Sequence, residues 1–165
     1  MVDAIEQFFL ETVGRELCVL FCSMLPIIEL RGAIPLGAGL GLYWWQSLCI
    51  SIVGNLLPVP FILLFMRGIL RLMKKVKGLC KVALWLEGKA EKNREKVERY
   101  AFWGLVLFVA IPLPGTGAWT GSLVASVTGM RFWKSLLAAV IGVLIAGVIM
   151  TAVSYGAVEV FQAWF

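Results

Sequence analysis

Two ionisable side chains, Glu29 and Arg31, stand within otherwise apolar sequence, in the segment Glu29-Leu30-Arg31-Gly32-Ala33. An ionisable group at membrane depth costs about 2.5–3.5 kcal/mol on insertion scales, so it marks a binding or ion-coupling role by default. The bland alternative is a solvent-facing tip at which the two groups pair with each other. The flanking apolar stretches are too short to cross a bilayer, which favours a tip near mid-depth and the functional reading. A second candidate lies at Pro114-Gly115-Thr116-Gly117. Consecutive backbone N–H groups beside a helix N-terminus form an anion-friendly concavity. Thr116, Thr120 and Ser122 add hydroxyls there, and Trp119 can wall a cavity. The bland reading is a helix break capped by threonine. The expected substrate- or ion-binding set is therefore Glu29, Arg31, Pro114, Gly115, Thr116, Gly117, Trp119 and Thr120.

Other chemistries are excluded by what the chain lacks. It has no histidine, the usual catalytic base and commonest metal ligand. Cys18, Cys22, Cys49 and Cys80 contain no C-x-x-C pair, and packing explains Cys18 and Cys22 better than chemistry. No Walker lysine follows Gly117, so the second candidate is not a nucleotide loop. Paired carboxylates and a nucleophile–base constellation are both missing, so neither an enzyme nor a cofactor, a metal site or a nucleic-acid partner is expected.

The elements that must position these residues follow from composition. Of 165 residues, 61% are hydrophobic and 15% charged, against about 25% charged in a soluble domain; the mean hydropathy is +0.91. Lipid must solvate most of this surface. Charge is absent from Gly32 to Met66, from Tyr100 to Met130 and from Ser135 to Val158, with a shorter clean run from Leu17 to Ile28. A bilayer-spanning helix needs about 20 apolar residues. Gln46–Met66 and Ser135–Val158 each fit one crossing. Asn55, Pro58 and Pro60 predict a kink or broken turn in the first of them. The glycine-rich Gly32–Leu42 is poor material for a full helix exposed to lipid and is expected to form only a short half-helix. Gly37/Gly41 and Gly117/Gly121 form G-x-x-x-G pairs suited to close helix packing.

The same order of elements occurs twice: a short apolar segment, a break, a second short segment, an aromatic belt, and a long span. ELRGA at 29–33 is matched with PGTGA at 114–118, and Tyr43–Leu48 with Met130–Leu136. Interrupted apolar segments in corresponding halves point to a transporter site. The expected fold is an all-α integral membrane protein, a single membrane domain over 1–165. It comprises an amphipathic helix at 1–16, repeat one at 17–66, a linker at 67–99 and repeat two at 100–160. Each repeat is a re-entrant hairpin followed by one crossing.

The linker carries 11 Lys/Arg and four Glu, whereas residues 1–16 carry four acidic groups and one arginine. The positive-inside rule places the linker in the cytoplasm and both termini outside, which makes the repeats inverted. Arg67, Arg71, Lys74, Lys75, Lys77 and Lys81 are spaced to lie along an anionic leaflet. The acidic N-terminus does not read as a cleavable signal.

At ELRGAIPLG and PLPGTGAW the chain resembles the small multi-drug export protein family, and more distantly the DedA (VTT-domain) membrane proteins. The second resemblance implies two re-entrant hairpins in inverted repeats and the return of undecaprenyl phosphate or similar lipid carriers across the membrane, coupled to ion gradients. Glu29 matches the acidic position of a DedA-type first hairpin, and Pro114-Gly115 the Pro-Gly of the second. DedA proteins carry arginines around that Pro-Gly, where this chain has Thr116, Gly117 and Ala118; Arg31 is its one hairpin arginine.

Three functions are weighed. The first is an inner (plasma) membrane carrier of a polyprenyl phosphate, held near Arg31 and the Gly115–Gly117 backbone, with Glu29 as a proton or sodium site. The second is a proton-coupled exporter of lipophilic cations, with Glu29 binding drug and proton alternately and Trp119 stacking on the cation. The third is a non-transporting scaffold. Membrane lipids, and in a dimer a second copy of the chain, are the remaining partners.

Overall fold

Proline sets the first boundary. Residues 14–24 are helical (α1), and the chain then bends at Leu25 and turns through Pro26–Ile28. A proline removes a backbone donor and disfavours helix in the residue before it. The computed structural model describes residues 14–75, 94–113 and 115–164. Residues 1–13 of the expected amphipathic helix, 76–93 of the linker (with Lys77 and Lys81) and Pro114 lie outside the described residues. The remaining elements are α2 (Glu29–Gly39), α3 (Trp44–Leu56), α4 (Pro58–Lys75), α5 (Arg94–Ala110), α6 (Ala118–Val127) and α7 (Phe132–Trp164). No strand occurs among the described residues, so the all-α expectation holds.

Two expectations need correction. ELRGA is not a break but the first turn of α2, and the break lies just upstream at 25–28. The glycine-rich segment after it is helical despite Pro35, because Leu30, Ala33, Ile34 and Gly37 bury one face while Pro35 faces out. Burial outweighs weak propensity here. The G-x-x-x-G pairs also divide their labour. Gly37 packs against Ser47, and Gly121 against Val109 and Leu105. Gly41 instead serves a turn, and Gly117 is the N-cap of α6.

The chain divides into two compact units. The first holds the described residues up to Leu57 and those from Val143 onward. Its core is Val19 of α1, Ala33 of α2 and Leu42, with Cys22, Leu40 and Ile50 packed against it; Cys22 thus serves in packing. Helices α2 and α3 form an antiparallel hairpin. Its turn donates Gly41 N–H to Ala38 O (3.1 Å) and Leu42 N–H to Gly37 O (3.0 Å). With Gly41 at φ +76°, this is a Schellman motif, in which a left-handed residue lets the last N–H groups satisfy orphan carbonyls. Arg15 Nη1 donates to Leu40 O (3.2 Å) and Gln46 Nε2 to Glu16 Oε1 (3.4 Å), tying α1 to that turn. Gly54 of α3 lets α1 approach so closely that a Cβ would fall 2.7 Å from the Leu20 carbonyl.

The second unit spans Pro58–Gly142. Helix α6 packs against α4 and α5. The same turn follows α6: Gly129 N–H donates to Ser126 O (3.3 Å) and Met130 N–H to Ala125 O (3.1 Å), with Gly129 at φ +73°. Helix α7 then starts against α5, where a Cβ on Gly142 would lie 2.6 Å from Val109 Cβ.

Two stretches are long and apolar enough to cross a membrane: Trp44–Met66 (23 residues, mean hydropathy 2.3) and Phe132–Ala157 (26 residues, 2.7). They coincide with the two crossings read from the charge-free runs. Their outward faces carry large apolar side chains, among them Phe61 at 67% and Phe65 at 71% exposure. Contiguous apolar exposure of this kind suits a lipid surrounding.

Candidate functional site

The first candidate sits at the start of α2. After the 25–28 turn, Glu29 donates its N–H to Leu25 O (2.9 Å) and Gly32 to Ile28 O (3.0 Å), so α2 begins on a backbone already partly wound. Glu29 itself takes φ +50°, the one non-glycine residue with positive φ among those described. A left-handed conformation at such a residue costs about 1–3 kcal/mol and persists where the surroundings over-determine it. Its side chain is buried at 5% exposure. A carboxylate here gains from the positive end of the α2 dipole. Arg31 is half-buried, close enough for the Glu29 charge to act on it. Glu29 and Arg31 are therefore electrostatic neighbours at the start of α2.

The second candidate is the loop before α6. Thr116 donates its N–H to Leu113 O (3.3 Å), and its hydroxyl lies 2.9 Å from both Ile111 O and Leu113 O. Both of its donors thus close the loop on itself instead of facing outward as an anion nest would need. Gly115 (φ +82°) is exposed, Gly117 (φ +148°) buried, and Trp119 and Thr120 half-buried. Thr120 Oγ1 donates to Gly117 O at 3.4 Å. The described members of this group belong to the second unit, and Glu29 and Arg31 to the first.

A third set of residues was not read from the sequence. Ser47, Ser51 and Asn55 recur every fourth residue on α3 and are all fully buried. The Ser47 hydroxyl donates to Ile34 O at 3.2 Å. On α7, the Tyr155 hydroxyl donates to Leu42 O at 2.9 Å. Ser51 Oγ, both amide atoms of Asn55, Thr151 Oγ1 and Ser154 Oγ are buried with no hydrogen-bond partner among the described residues. The available signal was the period-four polar stripe in an apolar span. Asn55 was read only as a helix-breaking signal because Pro58 stands close by.

Apolar helices of bilayer length, an apolar exterior and polar side chains turned inward define a helical membrane protein. The chain belongs to the family described as "putative small multi-drug export protein", whose model matches residues 29–149. The match begins at Glu29 and takes in both candidate segments. No curated protein and no solved structure matches the chain.

Proposed function

We propose that the protein is a small secondary transporter of the plasma membrane that exports lipophilic cations in exchange for protons, with Glu29 binding cargo and proton alternately. The carrying observation is the Glu29 carboxylate, buried at 5% exposure on a backbone that disfavours it. A buried acid in an apolar protein attracts a cation or takes up a proton, and exchange of the two couples their movements. Membership of an export family supports the direction.

The same reading covers topology. Helices α1 and α2, 11 residues each, rise about 16 Å, roughly half the hydrocarbon thickness. Each short pair enters the bilayer partway and returns, each long stretch crosses once, and the two halves are inverted repeats. The linker is cytoplasmic, the termini are outside, and no reaction is catalysed.

The test is resistance of cells to quaternary ammonium compounds and cationic dyes. Wild type should confer resistance that Glu29→Gln abolishes at equal protein level; unchanged resistance in the variant would overturn the reading. A second reading, DedA-like carriage of a polyprenyl phosphate, is favoured by the half-buried Arg31. It predicts that Arg31→Ala stops polyprenyl-phosphate translocation in vesicles.

A further inference from the structure

We infer that the apolar groove between α1 and α3 is a binding site for a single-chain amphiphile with a cationic ammonium head, the Glu16 carboxylate taking the head and the groove the tail. The groove has a volume of about 310 Å³ and is lined by Glu16, Leu17 and Leu20 of α1 and by Cys49, Ile50 and Val53 of α3. All of these residues belong to the first unit.

Two contacts fix how the helices run. Glu16 Oε1 accepts from Gln46 Nε2 (3.4 Å) at one end, and Gly54 lies against Leu20 and Ser23 at the other. Helices α1 and α3 are therefore parallel, and their separation changes along the pair. At Gly54 the helices nearly touch, since a Cβ there would fall 2.7 Å from the Leu20 carbonyl. At Glu16 two long side chains bridge the gap. The helices splay from the Gly54 contact, and the wedge between them is the groove. Leu17 and Val53 are exposed at its mouth, so it opens sideways to whatever surrounds the protein.

The two ends of the groove differ in chemistry. Trp44 and Trp45 stand exposed beside Gln46, and such rings sit at the membrane–water interface. Glu16 is therefore at headgroup level. Val53 follows Gln46 by two turns of α3 and lies about 10 Å deeper, at 1.5 Å per residue. A short chain of hydrogen bonds holds the carboxylate over the outer end. Tyr43 N–H donates to Gln46 Oε1 (3.2 Å), which turns the Gln46 amide N–H toward Glu16 Oε1. Oε2 is left for a ligand.

A ligand that matches both ends carries positive charge on its head and hydrocarbon behind it. An anionic lipid would set its phosphate against Glu16. A zwitterionic lipid would need a cation for its phosphate, and the neighbouring Arg15 turns to Leu40 O (3.2 Å) and does not line the groove. The volume lies at the small end of ligand pockets, about 300–1,000 Å³, which suits one chain better than two. Alkylammonium ions meet all three conditions. In the topology proposed above, the Glu16 end faces outside, so the groove takes cations on the exit side. That placement rests on the export reading, whereas the binding itself does not.

The test uses the full-length protein in phosphatidylcholine nanodiscs and two exposed cysteines, Cys49 in the groove and Cys18 outside it. Alkylation by N-ethylmaleimide is followed at each by mass spectrometry. Dodecyltrimethylammonium should slow alkylation of Cys49 saturably and leave Cys18 unchanged. Tetramethylammonium, which has no tail, and dodecyl sulfate, which has the opposite charge, should protect neither. Glu16→Gln keeps an acceptor for Gln46 but removes the charge, and should raise the half-protecting concentration about fivefold, the upper range for a partly exposed ion pair. Val53→Trp adds bulk to the groove wall at an exposed position, and should abolish protection. Glu29→Gln, which stops export, should leave protection intact, so the two readings fail separately; its loss in that variant would move the binding to Glu29 and overturn the site. Equal protection by dodecyl sulfate, equal slowing at Cys18, or protection untouched by Glu16→Gln or by Val53→Trp would also overturn it. Cys49 already blocked in phosphatidylethanolamine nanodiscs with no amphiphile added would assign the groove to bilayer lipid and overturn it too.

Discussion

The two halves close their short helices with the same turn, Gly41-Leu42 in one and Gly129-Met130 in the other, and each turn leads into a long apolar helix. Aligned on those turns, Ser47 of α3 matches Ser135 of α7, and both are buried. The next positions on the same face diverge. Ser51 and Asn55 of α3 match Ala139 and Val143 of α7, all four essentially fully buried. Alanine and valine serve that place in one half without difficulty, so packing does not demand an amide and a hydroxyl in the other.

Substitutions can break or sharpen this contrast. The largest expected effect is at the close approaches. Gly54→Val drives a side chain into the Leu20 carbonyl and the Ser23 hydroxyl, and Gly142→Val into Val109 and the Val106 carbonyl. Each should cost about 1–3 kcal/mol or more, since backbone cannot move aside cheaply. Thermal unfolding in detergent would show it, and wild-type stability in either variant would mean the helices do not pack this tightly.

Next in size is the stripe itself. Asn55→Leu should stabilise the protein by about 1–3 kcal/mol by removing unsatisfied amide atoms. The reciprocal Val143→Asn should destabilise by a similar amount. If Asn55→Leu destabilises in thermal unfolding, the amide has a structural partner and the contrast between halves is weaker than drawn.

Glu29 gives a smaller shift. Glu29→Gly relieves the left-handed strain and should raise stability by about 1 kcal/mol, whereas Glu29→Gln keeps the strain and gains nothing. Both should abolish export. The smallest effect is expected from Ser122→Ala, within about 0.5 kcal/mol, because its hydroxyl only bonds back to Ala118 O.

Much of the architecture was legible before any coordinates. Charge exclusion located both long stretches, since lipid tolerates no ordinary scatter of Lys and Glu. The short helix Ala118–Val127 answers to the second short apolar segment of the second half, set off by the Gly-Thr-Gly break ahead of it. The charge at Glu29 and Arg31 suggests a tip there, whereas Pro26 ends α1 and sets the break upstream. The pairing of ELRGA with PGTGA shifts for the same reason. Aligned on the turns, Glu29 matches Gly117, and each opens or caps a helix with positive φ. The Tyr155–Leu42 contact was beyond reach, because it joins residues far apart in the chain through a register that only packing reveals.

The backbone at Glu29 has a consequence for descent. A left-handed helix start is a place where glycine is the comfortable occupant, and the matching position of the second half already carries one, Gly117. Once a lineage ceased to need the carboxylate, drift would run downhill toward glycine, or toward asparagine, which tolerates the same conformation. Position 29 should therefore record the history of the activity. Glutamate there should track working copies, and glycine should accumulate among copies that have fallen silent.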